Sequence, residues 1–134
     1  MTALVTGAVY GIGFAIAKGL ASAGATIVFN DLTEEAVERG LEAYRNEGIE
    51  AYGYVFDVTE EEAVVASIER ITAEVAPIDV LVNNAGIIKR VPMTEMSAAE
   101  FRQVIDIDLT GPFIVSKAVI PSMIERGGGK IYNI

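Results

Sequence analysis

From Thr6 to Gly13 the chain reads Thr-Gly-Ala-Val-Tyr-Gly-Ile-Gly, with three glycines in seven residues from Gly7 onward. Glycine reaches backbone conformations closed to other residues and lets N–H groups come close to a bound group. A short apolar run at residues 3–6 precedes the turn. An amphipathic stretch follows, with its face at residues 12, 15, 16, 19, 20 and 23, and stops at Gly24. A strand turning directly into a helix presents the positive end of that helix to an anion such as pyrophosphate. The spacing is G-x-x-x-G-x-G rather than G-x-G-x-x-G, so its meaning depends on what surrounds it.

The same alternation runs through the rest of the chain. Thr26-Ile27-Val28-Phe29 is a second strand, and Thr33 an N-cap with Glu34 and Glu35 in the first turn of the next helix. That helix carries Ala36, Val37, Leu41 and Tyr44 on its apolar face and ends at Gly48. Tyr54-Val55-Phe56 predicts a third strand. Thr59-Glu60-Glu61-Glu62 predicts a capping box ahead of a helix with the stripe Val64, Ile68, Ile71 and Val75, closed by Pro77. Val80-Leu81-Val82 is apolar without alternation, as in a strand covered on both faces. After a loop at residues 87–96, Ser97-Ala98-Ala99-Glu100 predicts a second capping box. It opens a long helix carrying Phe101, Val104, Ile105, Leu109, Phe113, Val119 and Met123. Pro112 predicts a kink within it. Gly127-Gly128-Gly129 ends the helix, and residues 130–134 begin a fifth strand. Five strands alternating with helices predict an α/β chain with a doubly wound, mostly parallel sheet covered on both faces.

Composition narrows the chemistry. The chain is 134 residues long, 51% apolar and 22% charged, the balance of one globular domain rather than a disordered segment. It has no cysteine and no histidine, which removes disulfides, the commonest metal ligands and the commonest general base; no metal site is expected. A formal charge of −9 argues against nucleic acid as a partner. No basic segment precedes an apolar one at the N-terminus, and Lys18 and Asp31 interrupt the longest apolar stretch. Neither a signal peptide nor a membrane span is expected, and the default location is cytoplasmic.

In an open parallel sheet, ligands bind outside the carboxyl ends of the strands. There the chain carries Gly7, Asp31, Asp57 and Asn83-Asn84, one after each of the first four strands. Each alone is an ordinary turn residue. Together they put a glycine, two acids and an amide pair at one edge. Asp31, eighteen residues beyond Gly13, is placed to accept from ribose hydroxyls and to repel a 2′-phosphate.

These segments resemble the short-chain dehydrogenase/reductase family. Thr6-Gly-Ala-Val-Tyr-Gly-Ile-Gly13 is similar to its T-G-x-x-x-G-I-G turn, Asn83-Asn84-Ala85-Gly86 to its N-N-A-G motif, and Asp57-Val58 to its adenine-contacting pair. Within the family, residues 29–31, 83–93, 101–109 and 112–124 resemble the gluconate 5-dehydrogenases. The resemblance implies a Rossmann fold with strand order 3-2-1-4-5 and hydride transfer between a nicotinamide cofactor and C5 of a sugar acid, gluconate or 5-keto-gluconate. It assigns Gly7, Tyr10, Gly11, Ile12 and Gly13 to the pyrophosphate turn, and Asp31 with Leu32 to the adenosine ribose. Asp57 and Val58 fall to the adenine, and Asn84, Ala85 and Gly86 to the nicotinamide-side ribose. NADP-preferring members often carry a basic residue where Tyr10 stands, so NAD is the expected cofactor, with NADP open.

Asp108 falls at the family's catalytic Asn position, where a carboxylate accepts but does not donate. Lys89 and Arg90 are candidates for a substrate carboxylate, against the alternative of a solvated basic pair on a loop. The family's catalytic Ser and Tyr-x-x-x-Lys pair lie beyond the fifth strand, and Tyr132 has no lysine four residues on. The expectation is therefore an incomplete dinucleotide-binding domain over residues 1–134, inactive alone and poorly folded. Its complete form is expected to be a homodimer or homotetramer joined through the long helix after the fourth strand. A non-catalytic dinucleotide-binding module is the alternative. For substrate, a 3-oxoacyl reductase or a 2-keto-3-deoxy-gluconate-type dehydrogenase is the alternative branch.

Overall fold

A computed structural model describes residues 1–134. In chain order the elements are β1 (Thr2–Thr6), α1 (Gly11–Ser22), β2 (Thr26–Asp31), α2 (Glu34–Asn46), β3 (Ala51–Val55), α3 (Glu61–Glu74), β4 (Val80–Asn83), α4 (Ala98–Ile105), a π-helical turn (Asp106–Thr110), α5 (Gly111–Glu125) and β5 (Lys130–Asn133). The strands form one parallel sheet in the order β3-β2-β1-β4-β5, as the resemblance implies.

Register explains why the central strands read as unbroken apolar runs. Leu4 lies beside Val28 and Leu81, and all three enter a core shared with Val64, Ile68 and Ile71 of α3 and Val115 and Val119 of α5. Their neighbours Val5, Phe29 and Val82 point the other way, into a second core with Ala17 of α1 and Val37 and Tyr44 of α2. Both faces are dry, so alternation carries no signal in these strands.

Local chemistry overrides the sequence pattern in four places. The third strand runs Ala51–Val55 rather than over residues 54–56. Gly53 hides its beginning, yet glycine is required there: a Cβ would lie 2.5 Å from Val37 Cγ1 and 2.9 Å from Phe29 Cζ. The capping box expected at Thr59 does not form, and Glu60 is the N-cap of α3 without a side-chain bond. Asp57 Oδ1 takes both the Thr59 N–H (2.9 Å) and its hydroxyl (2.7 Å), closing a turn of its own. By contrast, the Thr33 cap and the Ser97–Glu100 box both form as expected.

On α1 the buried residues are Gly13 and Ala17, while Ile12 is 68% exposed. Gly13 marks the closest approach, while Phe14, Ile16 and Leu20 pack partly buried against the same core. The predicted break at Pro112 takes the form of the π-helical turn. There the Gly111 N–H reaches the Asp106 carbonyl, and Pro112 falls in the first turn of α5, where no N–H is needed. The stripe expected on this long helix divides. Ile114, Val115, Val119 and Met123 are buried, whereas Phe101 (56%), Leu109 (65%) and Phe113 (63%) stay exposed. The continuous helical run Ala98–Glu125 is long and apolar enough to cross a membrane by length and composition alone. One face of its second half packs on the sheet.

Candidate functional site

The glycine turn is built by three strand ends converging on it. Gly7 and Gly11 have φ of 63° and 67°, in the left-handed region that glycine tolerates. The Gly7 N–H donates to Asn30 Oδ1 (2.9 Å), and Asn30 Nδ2 donates to the Phe56 carbonyl (2.9 Å), so one buried amide ties β1, β2 and the exit of β3 together. From the other side, Asn84 Nδ2 donates to the Thr6 and Gly7 carbonyls (3.0 and 3.3 Å). The Thr6 hydroxyl accepts the N–H groups of Asn84 and Ala85, each at 3.0 Å. The approach is close: a Cβ on Gly7 would lie 3.0 Å from Ala85 Cα, and one on Gly13 would collide with Asn84 Nδ2.

Those bonds turn the carbonyls inward and leave amides unspent at the mouth of α1. The N–H groups of Gly11, Ile12 and Gly13 have no acceptor in the chain; the first engaged is Phe14, to the Tyr10 carbonyl at 3.4 Å. No side chain caps α1 and no acid stands in its first turn, whereas α2 and α4 both have caps and acids. Unsatisfied donors and the helix dipole together suit an anion.

Around this mouth lies a crevice of about 390 Å³. Every residue assigned to a nucleotide from the sequence lines it: Gly7, Tyr10, Gly11, Ile12, Gly13, Asp31, Leu32, Asp57, Val58, Asn84, Ala85 and Gly86. Asp31 Oδ1 accepts from the Leu32 N–H (2.7 Å), leaving its second oxygen without a partner in the chain. Asp57 Oδ1 is engaged twice by Thr59, while its Oδ2, like that of Asp31, has no partner in the chain. Four lining residues escaped the sequence assignment: Asn30, Phe56, Ile87 and Ile107. Asn30 had a signal, since an amide inside an apolar strand requires buried partners.

A second hollow of about 290 Å³ adjoins the first across Asn84, Ala85 and Gly86. The π-helical turn projects Asp108 into it, and Asp108 Oδ1 accepts from the Ile87 N–H at 2.9 Å. Across the hollow, Asn83 Nδ2 donates to Ser116 Oγ (3.1 Å) and Asn133 Oδ1 (2.9 Å), while Asn83 Oδ1 is buried without a partner. Lys89 is half-buried and Arg90 exposed on the following loop; neither lines either hollow.

At the opposite end of the sheet, Arg126 donates to Asp79 Oδ1 (2.7 Å) and to the Ile78 carbonyl (2.6 Å), and Asp79 Oδ2 accepts the Thr2 N–H (2.8 Å). The bond from Arg126, with that from Thr2, holds the Asp79 carboxyl below the usual carboxylate range. Burial pushes the Tyr44 phenol far up, and pushes Tyr54 up to about 12 with help from its bond to Glu74. Both phenols are therefore neutral structural groups.

The pattern of the family described as short chain dehydrogenase matches residues 1–134. A 2-dehydro-3-deoxy-D-gluconate 5-dehydrogenase from Formosa agariphila is 53% identical over 133 residues, covering 98% of this chain and 50% of that protein. The crystal structure of a 2-keto-3-deoxy-D-gluconate dehydrogenase from Streptococcus agalactiae superposes with a TM-score of 0.86 at 63% identity, over 97% of this chain and 49% of that one. A gluconate 5-dehydrogenase from Burkholderia cenocepacia, in complex with NADP and tartrate, does so with a TM-score of 0.88 at 45% identity, over 97% and 51%. The chain thus spans about half the length of the relatives it matches.

Proposed function

The chain belongs to the short-chain dehydrogenase family, and on that premise we propose that residues 1–134 form the nucleotide-binding part of a nicotinamide-dependent sugar-acid oxidoreductase. The observation that carries the reading is the uncapped N-terminus of α1, opening with three free N–H groups onto the crevice that Asp31 shares. A pyrophosphate fits those donors, and a ribose fits the free oxygen of Asp31. Bound there, the cofactor would supply the nicotinamide that takes up or gives back a hydride.

The chain's own residues bind and orient. Gly11, Ile12 and Gly13 hold the phosphates, Asp31 and Leu32 flank the adenosine ribose, Asp57 and Val58 wall the adenine, and Asn84, Ala85 and Gly86 form the floor leading to the second hollow. Asp108 Oδ1 fixes the end of that floor through Ile87, and its other oxygen would accept a hydrogen bond from a group bound in the hollow. The role we propose for residues 1–134 is to bind and orient the nucleotide. For substrate we favour a six-carbon sugar acid oxidised at C5. Identity to the 2-dehydro-3-deoxy-D-gluconate enzymes (53% and 63%) exceeds that to the gluconate 5-dehydrogenase (45%), which favours the keto-deoxy acid over gluconate. Lys89 and Arg90 would reach its carboxylate only if their loop folds towards the hollow. We propose a cytoplasmic setting, and a second copy of the protein as the cover for the face where Phe101, Leu109 and Phe113 stand exposed.

Calorimetry with NAD⁺ and NADP⁺ tests the reading. The expected result is one site per chain with NAD⁺ the tighter ligand, and a smaller difference in Asp31→Ser. No binding of either nucleotide would sink it.

A further inference from the structure

Tyr44 lies outside the crevice, yet it ends on the wall that forms it. Its ring is fully buried in α2, between Phe14 and Phe29 at centroid distances of 4.8 and 5.0 Å. Its hydroxyl donates to the carbonyl of Ala8, inside the glycine turn, at 2.7 Å. The neighbouring carbonyls of Thr6 and Gly7 are held by Asn84 from the opposite direction. Three consecutive carbonyls of the turn are therefore each fixed by a side-chain donor.

A trans peptide sets the C=O of one residue antiparallel to the N–H of the next. Drawing the Ala8 carbonyl down towards α2 thus aims the Val9 N–H away from α2, and that N–H has no acceptor in the chain. The helix reaches this depth because Gly40, one turn before Tyr44, lacks a Cβ that would lie 2.6 Å from Phe29 and 3.2 Å from Val9 Cγ2. The buried phenol, held neutral by desolvation, is a constant donor at any working pH.

We propose that Tyr44 is a positioning residue for the nucleotide: through the Ala8 carbonyl it sets the peptide between residues 8 and 9, and with it the shape of the turn the nucleotide meets. This rests on the turn being the nucleotide site. Tyr44→Phe removes the hydroxyl and keeps the ring. ADP binding by calorimetry should weaken about threefold or more, the scale of one lost hydrogen bond. Ile71→Val, buried on the other face of the sheet, serves as the control; it should lower the melting temperature and leave ADP affinity unchanged. A purely structural Tyr44 would behave like the control, so unchanged affinity in folded Tyr44→Phe overturns the proposal. Should that variant not fold, wild-type chain labelled at tyrosine ¹³Cζ gives the answer: ADP should shift the Tyr44 resonance, and an unmoved signal overturns the proposal. If wild type binds no ADP, the nucleotide reading itself has failed and this one falls with it.

Discussion

Replacing Gly13 by alanine adds one methyl at the tightest point of the site. Its Cβ would collide with Asn84 Nδ2 and stand 3.0 Å from Asn84 Cγ and 3.1 Å from Ala8 Cα. Backbone at Ala8 cannot yield, so Asn84 must move and give up its bonds to the Thr6 and Gly7 carbonyls. Overpacking of this kind costs about 1–3 kcal/mol. Two lost hydrogen bonds add about 1–2 kcal/mol, and the better helix propensity of alanine offsets about 1 kcal/mol. The net is about 1–4 kcal/mol of destabilisation, or roughly 2–15 °C in melting temperature for a chain of this size. ADP affinity should fall as well, because Asn84 and the turn move together. Gly19→Ala on the same helix meets nothing within 4 Å, so it should be neutral or stabilising by up to about 1 kcal/mol. Thermal melts and ADP calorimetry on both variants decide the matter. If Gly13→Ala matched Gly19→Ala in both assays, the argument from close approach would be wrong.

Other perturbations reach separate parts of the molecule. Asp79 is held below its unfolded value by Arg126 and Thr2; a depressed carboxyl adds stability that is present above about pH 4 and lost as pH falls through the folded value. Urea melts of wild type and Asp79→Asn should therefore converge on acidification towards pH 3, and a constant gap would contradict this. Thr33→Ala removes the donor-accepting cap on Ala36 N (3.1 Å) and should cost about 1 kcal/mol, read from the same melts. Phe113→Asp, on the exposed face of α5, should leave the melt nearly unchanged and reduce any dimer seen by light scattering. A dimer of unchanged strength would free that face from the proposed role.

The strand–helix alternation was legible because it depends on local periodicity, and the residues that line the crevice were legible because they follow the strand ends. What stayed hidden depends on contacts between distant segments. Asn30 reads as one polar residue in an apolar strand until Gly7 and Phe56 supply its partners. Tyr44 reads as core, and is core, but its hydroxyl reaches 36 residues back to Ala8. Thr59 matched a capping box, and nothing in that match reveals that Asp57 would claim it first. Phe101, Leu109 and Phe113 fit a helical stripe, yet burial follows the sheet, which meets the opposite side of that helix at Val115 and Val119.

The glycine turn, Asp31 and the Asn84 segment are proposed to act as one dinucleotide site. Titrating NAD⁺ into ¹⁵N-labelled chain tests it most directly. Saturable amide shifts are expected, concentrated at Gly7, Gly11, Ile12, Gly13, Leu32 and Ala85, with the Arg126 end of the sheet silent. Shifts centred elsewhere, or none at saturating nucleotide, would contradict it.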